Sequence, residues 1–407
     1  MLHLFIIMEN ETYKEFLQFR KKLCVLNMEA MQYYERFGLV INNKVVKTPL
    51  AIASMAGCVD AGYVLKRAAH IGAAFIGGYS IDQPTMDAGR EMAAAGRTEF
   101  IYDDPLEELK KQVALLSATD IQAGLNLRGS TPASYAAVAD SIGDSVVYEI
   151  DAHCRQEPMI RAGCGEFYLR NHGALVSTIE ALKSHDVTVS VKMRAGVAPD
   201  DRVLAKKIWK AGADILHVDL MDHGYQKIRQ IRNSCPLLII ANNSINTFER
   251  MKDMFSHGAD MVSLARHSDE RTLAGLDAAI TRYAGEHGWY NSPKQLCRGG
   301  DVRSLAFCCM PVKSCPLIPT LEKIGISRDE YIALKMDSVS GTPLDQGKHT
   351  CFGSLAWCCK DSSPCMFRDM TIRQAGMESR EYMIHKRELS EKIMHRLFDT
   401  EKNDESC

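Results

Sequence analysis

Eight of the chain's 14 cysteines fall between Cys297 and Cys365. They form two sets of four: Cys297, Cys308, Cys309 and Cys315, then Cys351, Cys358, Cys359 and Cys365. Four thiolates suit either a zinc ion or an iron–sulfur cluster. A second group of chemistry-bearing residues is spread over the first two thirds of the chain, each following a short apolar run. They are Ser54-Met55-Ala56-Gly57, Asn126, Asp151 with Cys154, Lys192 with Arg194, His217, Asn242-Asn243-Ser244 and Ala265-Arg266. Small and polar residues at so many strand ends are hard to read as core packing. A ring of them points to a ligand.

The elements that must position this ring are legible from Pro49 onward. The strand candidates are LAIAS (50–54), AAFIGG (73–78), IQAGLN (121–126), SVVYEI (145–150), VTVSVKM (187–193), DILHVD (214–219), LLIIAN (237–242) and DMVSLA (260–265). Helical periodicity separates them, as in DRVLAKKIWKAGA and TFERMKDMFSHGA. Continuous apolar strands are what a parallel sheet buried on both faces requires. Eight such β/α units predict a (β/α)8 TIM barrel over residues 49–290, ahead of a doubly wound sheet as the alternative. In that fold the site lies at the C-terminal ends of the strands, with a phosphate position after strands 7 and 8. There, backbone amides and Arg266 can hold a dianion.

Residues 1–48 read as a polar N-terminal helix followed by a hairpin, GLVINNKVVKT, turning at Asn42-Asn43. Met1 to Met8 is apolar but has neither the basic start nor the cleavage site of a signal peptide; Met8 is an alternative start. The composition is 46% hydrophobic and 25% charged with a formal net charge of −2. Such a balance excludes a disordered chain and a strongly basic nucleic-acid coat. No apolar stretch approaches the roughly 20 residues of a membrane span. A cytoplasmic protein is expected, with reduced thiols that favour metal binding over disulfides.

Residues 291–396 contain an internal repeat. SLAFCCMPVKSC (304–315) aligns with SLAWCCKDSSPC (354–365), and GISRDEYIALK (325–335) aligns with GMESREYMIHK (376–386). The region reads as a duplicated, Cys-rich α-helical metal-binding domain, followed by a polar tail at 397–407. Zinc knuckles with two to four residues between paired cysteines are absent. Adjacent cysteines with one further on favour two [4Fe–4S] clusters, with zinc as the alternative and disulfides or free thiols behind it.

The barrel segments PLAIASMAGCVDAGY, GLNLRGSTP, YEIDAHC, AGCGEFYLRN, VTVSVKMRAG, ILHVD, ANNSI and ADMVSLAR occur in an order that resembles the flavin-dependent tRNA-dihydrouridine synthases and, more distantly, the dihydroorotate dehydrogenases. The resemblance implies FMN. Met55 and Ala56 would line the flavin ring, Asn126 would stand where the family usually has a flavin-contacting Gln, and Lys192 would approach the N1/O2 side. His217 would sit by the flavin phosphate or a substrate carbonyl, while Asn242, Asn243 and Arg266 would hold the phosphate. Cys154 falls on the family's catalytic cysteine, a proton donor; a thiol pKa of about 8.5 suits that task. The sequence departs from the family at Asp151, at His153-Cys154-Arg155, at Asn243-Ser244 and at Ala265. With its Cys-rich repeat, nearly the whole chain resembles the methanogenesis marker protein 9 family, which implies an archaeal methanogen and an anaerobic cytoplasm.

Two functions follow. One is a flavin-dependent oxidoreductase in which iron–sulfur clusters feed electrons to FMN. Its substrate would be a uridine in tRNA or a small unsaturated metabolite, and a redox partner protein is possible. The other is a non-catalytic metal-binding assembly or maturation factor for a methanogenesis enzyme, built on a degenerate barrel.

Overall fold

The computed structural model describes residues 37–287, 289, 304–307, 315, 317–318, 321, 325–358 and 365–399. The expected N-terminal helix lies outside the described residues, as do Cys297, Cys308, Cys309 and Cys359. The chain divides into two compact units. One is Leu39–Asn291 with Met394–Cys407, and the other is Met1–Gly38 with Ser292–Ile393.

The first unit opens with a hairpin of β1 (Val40–Ile41) and β2 (Lys44–Val45), paired antiparallel. Its turn residues Asn42 and Asn43 have φ of 50° and 55°, the left-handed pair a two-residue hairpin requires and asparagine tolerates. The hairpin is tied to the N-terminal ends of three barrel strands. Lys44 Nζ donates to Ile121 O at 2.9 Å, Asn42 Nδ2 to Asp144 O at 2.7 Å, and Thr188 Oγ1 to Asn42 Oδ1 at 3.0 Å. It therefore groups with the barrel, on the end opposite the expected site.

Eight parallel strands follow: β3 (Leu50–Ile52), β4 (Ala73–Ser80), β5 (Gln122–Arg128), β6 (Val147–Ala152), β7 (Thr188–Arg194), β8 (Ile215–Asp219), β9 (Leu238–Asn242) and β10 (Met261–Leu264). Each pairs with its neighbours in sequence, and β10 returns to β3, so the sheet closes into a barrel. Every residue of β4, β5 and β6 is buried, which is why these strands carry no polar–apolar alternation. All eight strands expected from the sequence are present, four of them running on toward or past the polar residue that ends the apolar run.

The outer helices start where short polar residues accept the first free amides. Asp82 caps the helix Gln83–Ala94 in a reciprocal capping box with Thr85, and Asp104 and Thr131 cap the next two helices, each with proline in its first turn. Asp82 does more than cap: its Oδ2 accepts from Ser130 N at 2.6 Å, Ser130 Oγ at 2.9 Å and Ser134 Oγ at 2.8 Å. That locks the loop after β4 to the loop after β5.

In the second unit, equivalent positions of the repeat behave alike. Ser327 N donates to Glu330 Oε2 at 2.7 Å, and Glu378 N donates to Glu381 Oε2 at 2.8 Å, starting the helices Arg328–Val339 and Ser379–Asp399. Leu305 and Leu355, Tyr331 and Tyr382, and Lys335 and Lys386 are buried in pairs. The last helix runs to Asp399, past residue 397 where the polar tail was expected to begin. Among the described residues, no group of three or more histidines, cysteines or carboxylates is close enough to hold a metal. No described helix is long and apolar enough to cross a membrane.

Candidate active site

Alternate residues of a barrel strand point inward. At the C-terminal end of this barrel the inward positions of β5 to β10 are polar, and their hydrogen bonds group them into three sets, named here by tier.

The lowest tier centres on Glu149 in β6, which has no exposed surface. Its carboxylate accepts from Asn126 Nδ2 at 2.9 Å, Ser190 Oγ at 3.0 Å and His217 Nδ1 at 2.8 Å. His217 Nε2 lies 2.7 Å from Ser263 Oγ, and Asn242 Nδ2 donates to that same oxygen at 2.8 Å. Burial alone would push the Glu149 carboxyl up. The neighbouring His217 and Lys192, with the hydrogen bonds from His217 and Asn126, outweigh it and hold the group below the usual carboxylate range. The expected site residues Asn126, His217 and Asn242 are thus joined into one buried network through Glu149 and Ser263. His217, expected beside a phosphate or a substrate carbonyl, is placed in the barrel floor with both ring nitrogens occupied.

The middle tier holds Asp151 and Lys192, register partners on β6 and β7. Lys192 Nζ donates to Ser54 Oγ at 3.0 Å and to Ser54 O at 3.3 Å, which pins the strand-end lysine to the loop after β3. Asp151 does not pair with Arg155 or Arg161. Its Oδ2 accepts from Arg128 Nε at 2.9 Å, and its Oδ1 accepts from the amides of His153 at 3.0 Å and Cys154 at 2.9 Å. Arg128 reaches on to Glu99 Oε2 at 2.7 Å, whereas Arg161 bonds to Glu91. Burial works against the Asp151 anion, but Arg128, His153 and Lys192 together bring its pKa down to about 2.

Cys154 follows directly. It is 6% exposed and packs with Ala88, Met92 and Met159. Its backbone is fixed at both ends: the amide donates to Asp151, and its carbonyl accepts from Glu166 N at 2.9 Å. Burial pushes the thiol up, with Arg128 opposing, so Cys154 keeps its proton at neutral pH. Of the two other cysteines near the mouth, Cys164 is buried and Cys58 is exposed.

The upper tier is formed by His153, Arg194 and Asp219. His153 Nε2 lies 2.5 Å from Asp219 Oδ2, and Asp219 Oδ1 accepts from Met221 N at 3.0 Å. Arg194 spans the same edge, with Nε 3.0 Å from Glu166 Oε1 and Nη2 donating to His153 O at 3.3 Å.

Around the rim, Met55 and Ala56 are half-buried in the loop after β3. That loop bends at Gly57, φ +68°, where a Cβ would come within 2.6 Å of the Thr98–Glu99 backbone. After β9, Asn243 and Ser244 both have positive φ, at 88° and 56°, and Asn243 Nδ2 donates to Met221 O at 3.2 Å. Arg266, after β10, is exposed and makes no hydrogen bond or ion pair among the described residues.

Glu149, Arg128, Glu99 and Asp219 were not singled out from the sequence, and His153 was named only as a departure from the family pattern, not as a site residue. Glu149 carries a usable signal, since a carboxylate inside an otherwise apolar strand must be paired. Glu99 carries none, because it lies far from the strand ends and reaches the site only through Arg128.

Residues 81–272, from the end of β4 through β10 to the start of the last barrel helix, match the family model described as Dihydrouridine synthase (Dus). Over those residues the barrel is similar to the dihydrouridine synthase domain. The chain belongs to one family with a Methanocaldococcus jannaschii protein, Uncharacterized protein MJ0115. The two are 45% identical over 107 residues, covering 26% of this chain and 69% of that protein. A second protein of that organism, Uncharacterized protein MJ0144, is 26% identical over 229 residues, covering 53% of this chain and 88% of the other. Among solved structures, FabK from Thermotoga maritima overlaps 56% of this chain and 60% of its own, at a TM-score of 0.38 and 16% identity.

Proposed function

We propose that the protein is an FMN-dependent oxidoreductase. The reading is carried by one observation: within a barrel similar to the dihydrouridine synthase domain, a buried lysine is pinned at the end of the fifth barrel strand. The donor set fits FMN. Two of the three Lys192 protons go to Ser54, which leaves one for an electron-rich ring edge. Arg266 is a cation without a partner among the described residues, at the phosphate position of the fold, beside a turn whose left-handed residues Asn243 and Ser244 turn the backbone sharply. Lys192 and Asn126 would hold the ring edge, Met55 and Ala56 its face, and Arg266 with Asn242 and Asn243 the phosphate. His217 would act from below, through Glu149 and Ser263.

Bound FMN would supply a hydride. The protein's own part is to exclude water, to keep a cation at Lys192 and to hold a proton ready on Cys154. That thiol is kept protonated by burial, as a proton donor must be.

The duplicated cysteines support two [4Fe–4S] clusters as the electron source, with zinc as the competing occupant. Cys315, Cys358 and Cys365 are partly exposed and Cys351 exposed. The substrate would be a uridine in tRNA, which the slight excess of Lys and Arg in the C-terminal region accommodates, or a small unsaturated metabolite. A cytoplasmic setting and a redox partner protein complete the reading, and the resemblance to the methanogenesis marker family would tie it to methanogen metabolism.

The test is an absorption spectrum of anaerobically purified protein with flavin, iron and zinc analysis. Flavin bands with about eight irons per chain are expected for two four-iron clusters. Zinc without flavin overturns the reading and favours the assembly factor. Cys154→Ala should keep the flavin and lose turnover.

A further inference from the structure

We propose that His153, oriented by Asp219, is the proton-exchanging group of the barrel mouth. His153 follows the last residue of β6, its amide donates to Asp151 Oδ1 at 3.0 Å, and about a quarter of its side chain is exposed. The Asp219 carboxylate is fixed first. Met221 N donates to its Oδ1, so Oδ2 is presented to the imidazole at 2.5 Å. Its acid is also held well below the usual carboxylate range. Burial opposes this, but the hydrogen bond and charge of His153, the Met221 amide and Arg194 outweigh it.

A carboxylate is acceptor-only, so the proton in this contact belongs to His153 Nε2. Arg194 Nη2 also lies 3.1 Å from that nitrogen, but a guanidinium has no lone pair to offer. It donates instead to His153 O. The tautomer is thereby set: Nε2–H faces Asp219, and Nδ1 keeps its lone pair with no partner among the described residues. This is the base-plus-orienter geometry of acid–base catalysis.

The proton balance is simple. Nδ1 accepts one proton from a bound substrate and the ring becomes an imidazolium whose charge is matched by the Asp219 carboxylate; the reverse step returns the proton. The charged groups facing the ring are Asp219 on β8, Arg194 and Lys192 on β7, and Asp151 on β6. Burial and Lys192 disfavour the imidazolium while Asp219 and Asp151 favour it, and the balance keeps the resting ring neutral at pH 7. The barrel therefore carries two proton-handling groups, a thiol that holds its proton and an imidazole ready to receive one.

The first test needs no cofactor. The full chain is treated with diethylpyrocarbonate at a series of pH values, and modified histidines are located by mass spectrometry. His153 should react as its neutral form, with a rate that rises through one titration midpoint. Asp219→Asn should move that midpoint to lower pH, because the anion that stabilises the imidazolium is gone. Protection of His153 while the exposed His267 reacts overturns the proposal, and so does a midpoint unmoved by Asp219→Asn.

The second test rests on the FMN reading. The midpoint potential of FMN-loaded protein is followed against pH. Wild type should show a break at the His153 midpoint, and His153→Gln should lose it. A curve unchanged in His153→Gln overturns the proposal. Protein that binds no FMN defeats the flavin reading alone, and the modification experiment still decides His153.

Discussion

His217 and Glu149 meet across the barrel floor, Nδ1 to Oε2 at 2.8 Å, with neither side chain exposed at all. The pair ties β8 to β6, and through Ser190, Asn126, Ser263 and Asn242 it reaches β7, β5, β10 and β9. The mouth of the barrel stands on this network, so its integrity precedes any chemistry above it.

Removing the carboxylate strands three donors at once. Glu149→Ala should cost about 3–5 kcal/mol, the usual penalty for breaking a buried ion pair from one side. Glu149→Gln keeps the shape and should cost less. Urea unfolding followed by circular dichroism measures both; a loss under about 1 kcal/mol for the alanine variant would show that the floor does not depend on Glu149.

Acid should loosen the site through Asp151. Its folded pKa of about 2 lies below the ordinary carboxylate value, so its contribution is complete above about pH 4. That contribution is lost as the pH falls from there toward 2, and is on the order of 2 kcal/mol. Asp151→Asn should flatten the stability profile in that window and leave the region above pH 5 without slope from this residue. An unchanged acid limb in the variant would remove Asp151 from the account.

Lys192 and Arg266 should divide the flavin between them. Lys192→Met should weaken FMN and riboflavin alike, each by about tenfold, the weight of one charge-assisted contact. Arg266→Ala should weaken FMN by a similar factor and leave riboflavin untouched, since only FMN carries the phosphate. Fluorescence titration of the four combinations reads this directly. Equal loss of both ligands in the Arg266 variant would place the phosphate elsewhere.

Gly165 seats the Cys154 loop. Its φ is +67°, and a Cβ there would stand 2.2 Å from Cys154 O. Gly165→Ala should therefore displace the cysteine backbone and speed alkylation of Cys154 by iodoacetamide at least severalfold, as the thiol leaves its packing against Met92 and Met159. An alkylation rate equal to wild type would show that the loop absorbs the methyl.

The sequence by itself determined the barrel, because strands buried on both faces must be largely apolar, with polar residues gathered toward their C-terminal ends. That rule is what drew attention to Asn126, Lys192, His217, Asn242 and Arg266. The hairpin was legible too, since two consecutive asparagines supply the left-handed turn. Tertiary structure alone decided what each polar residue does. Periodicity places His217 at a strand end but does not tell a residue facing a ligand from one bonded to Glu149 on the second strand back. Partners such as Arg128 and Glu99, or His153 and Asp219, are 29 and 66 residues apart in the chain. They meet only because closing the barrel brings strand ends to one rim, where buried charges must find one another or lose their charge.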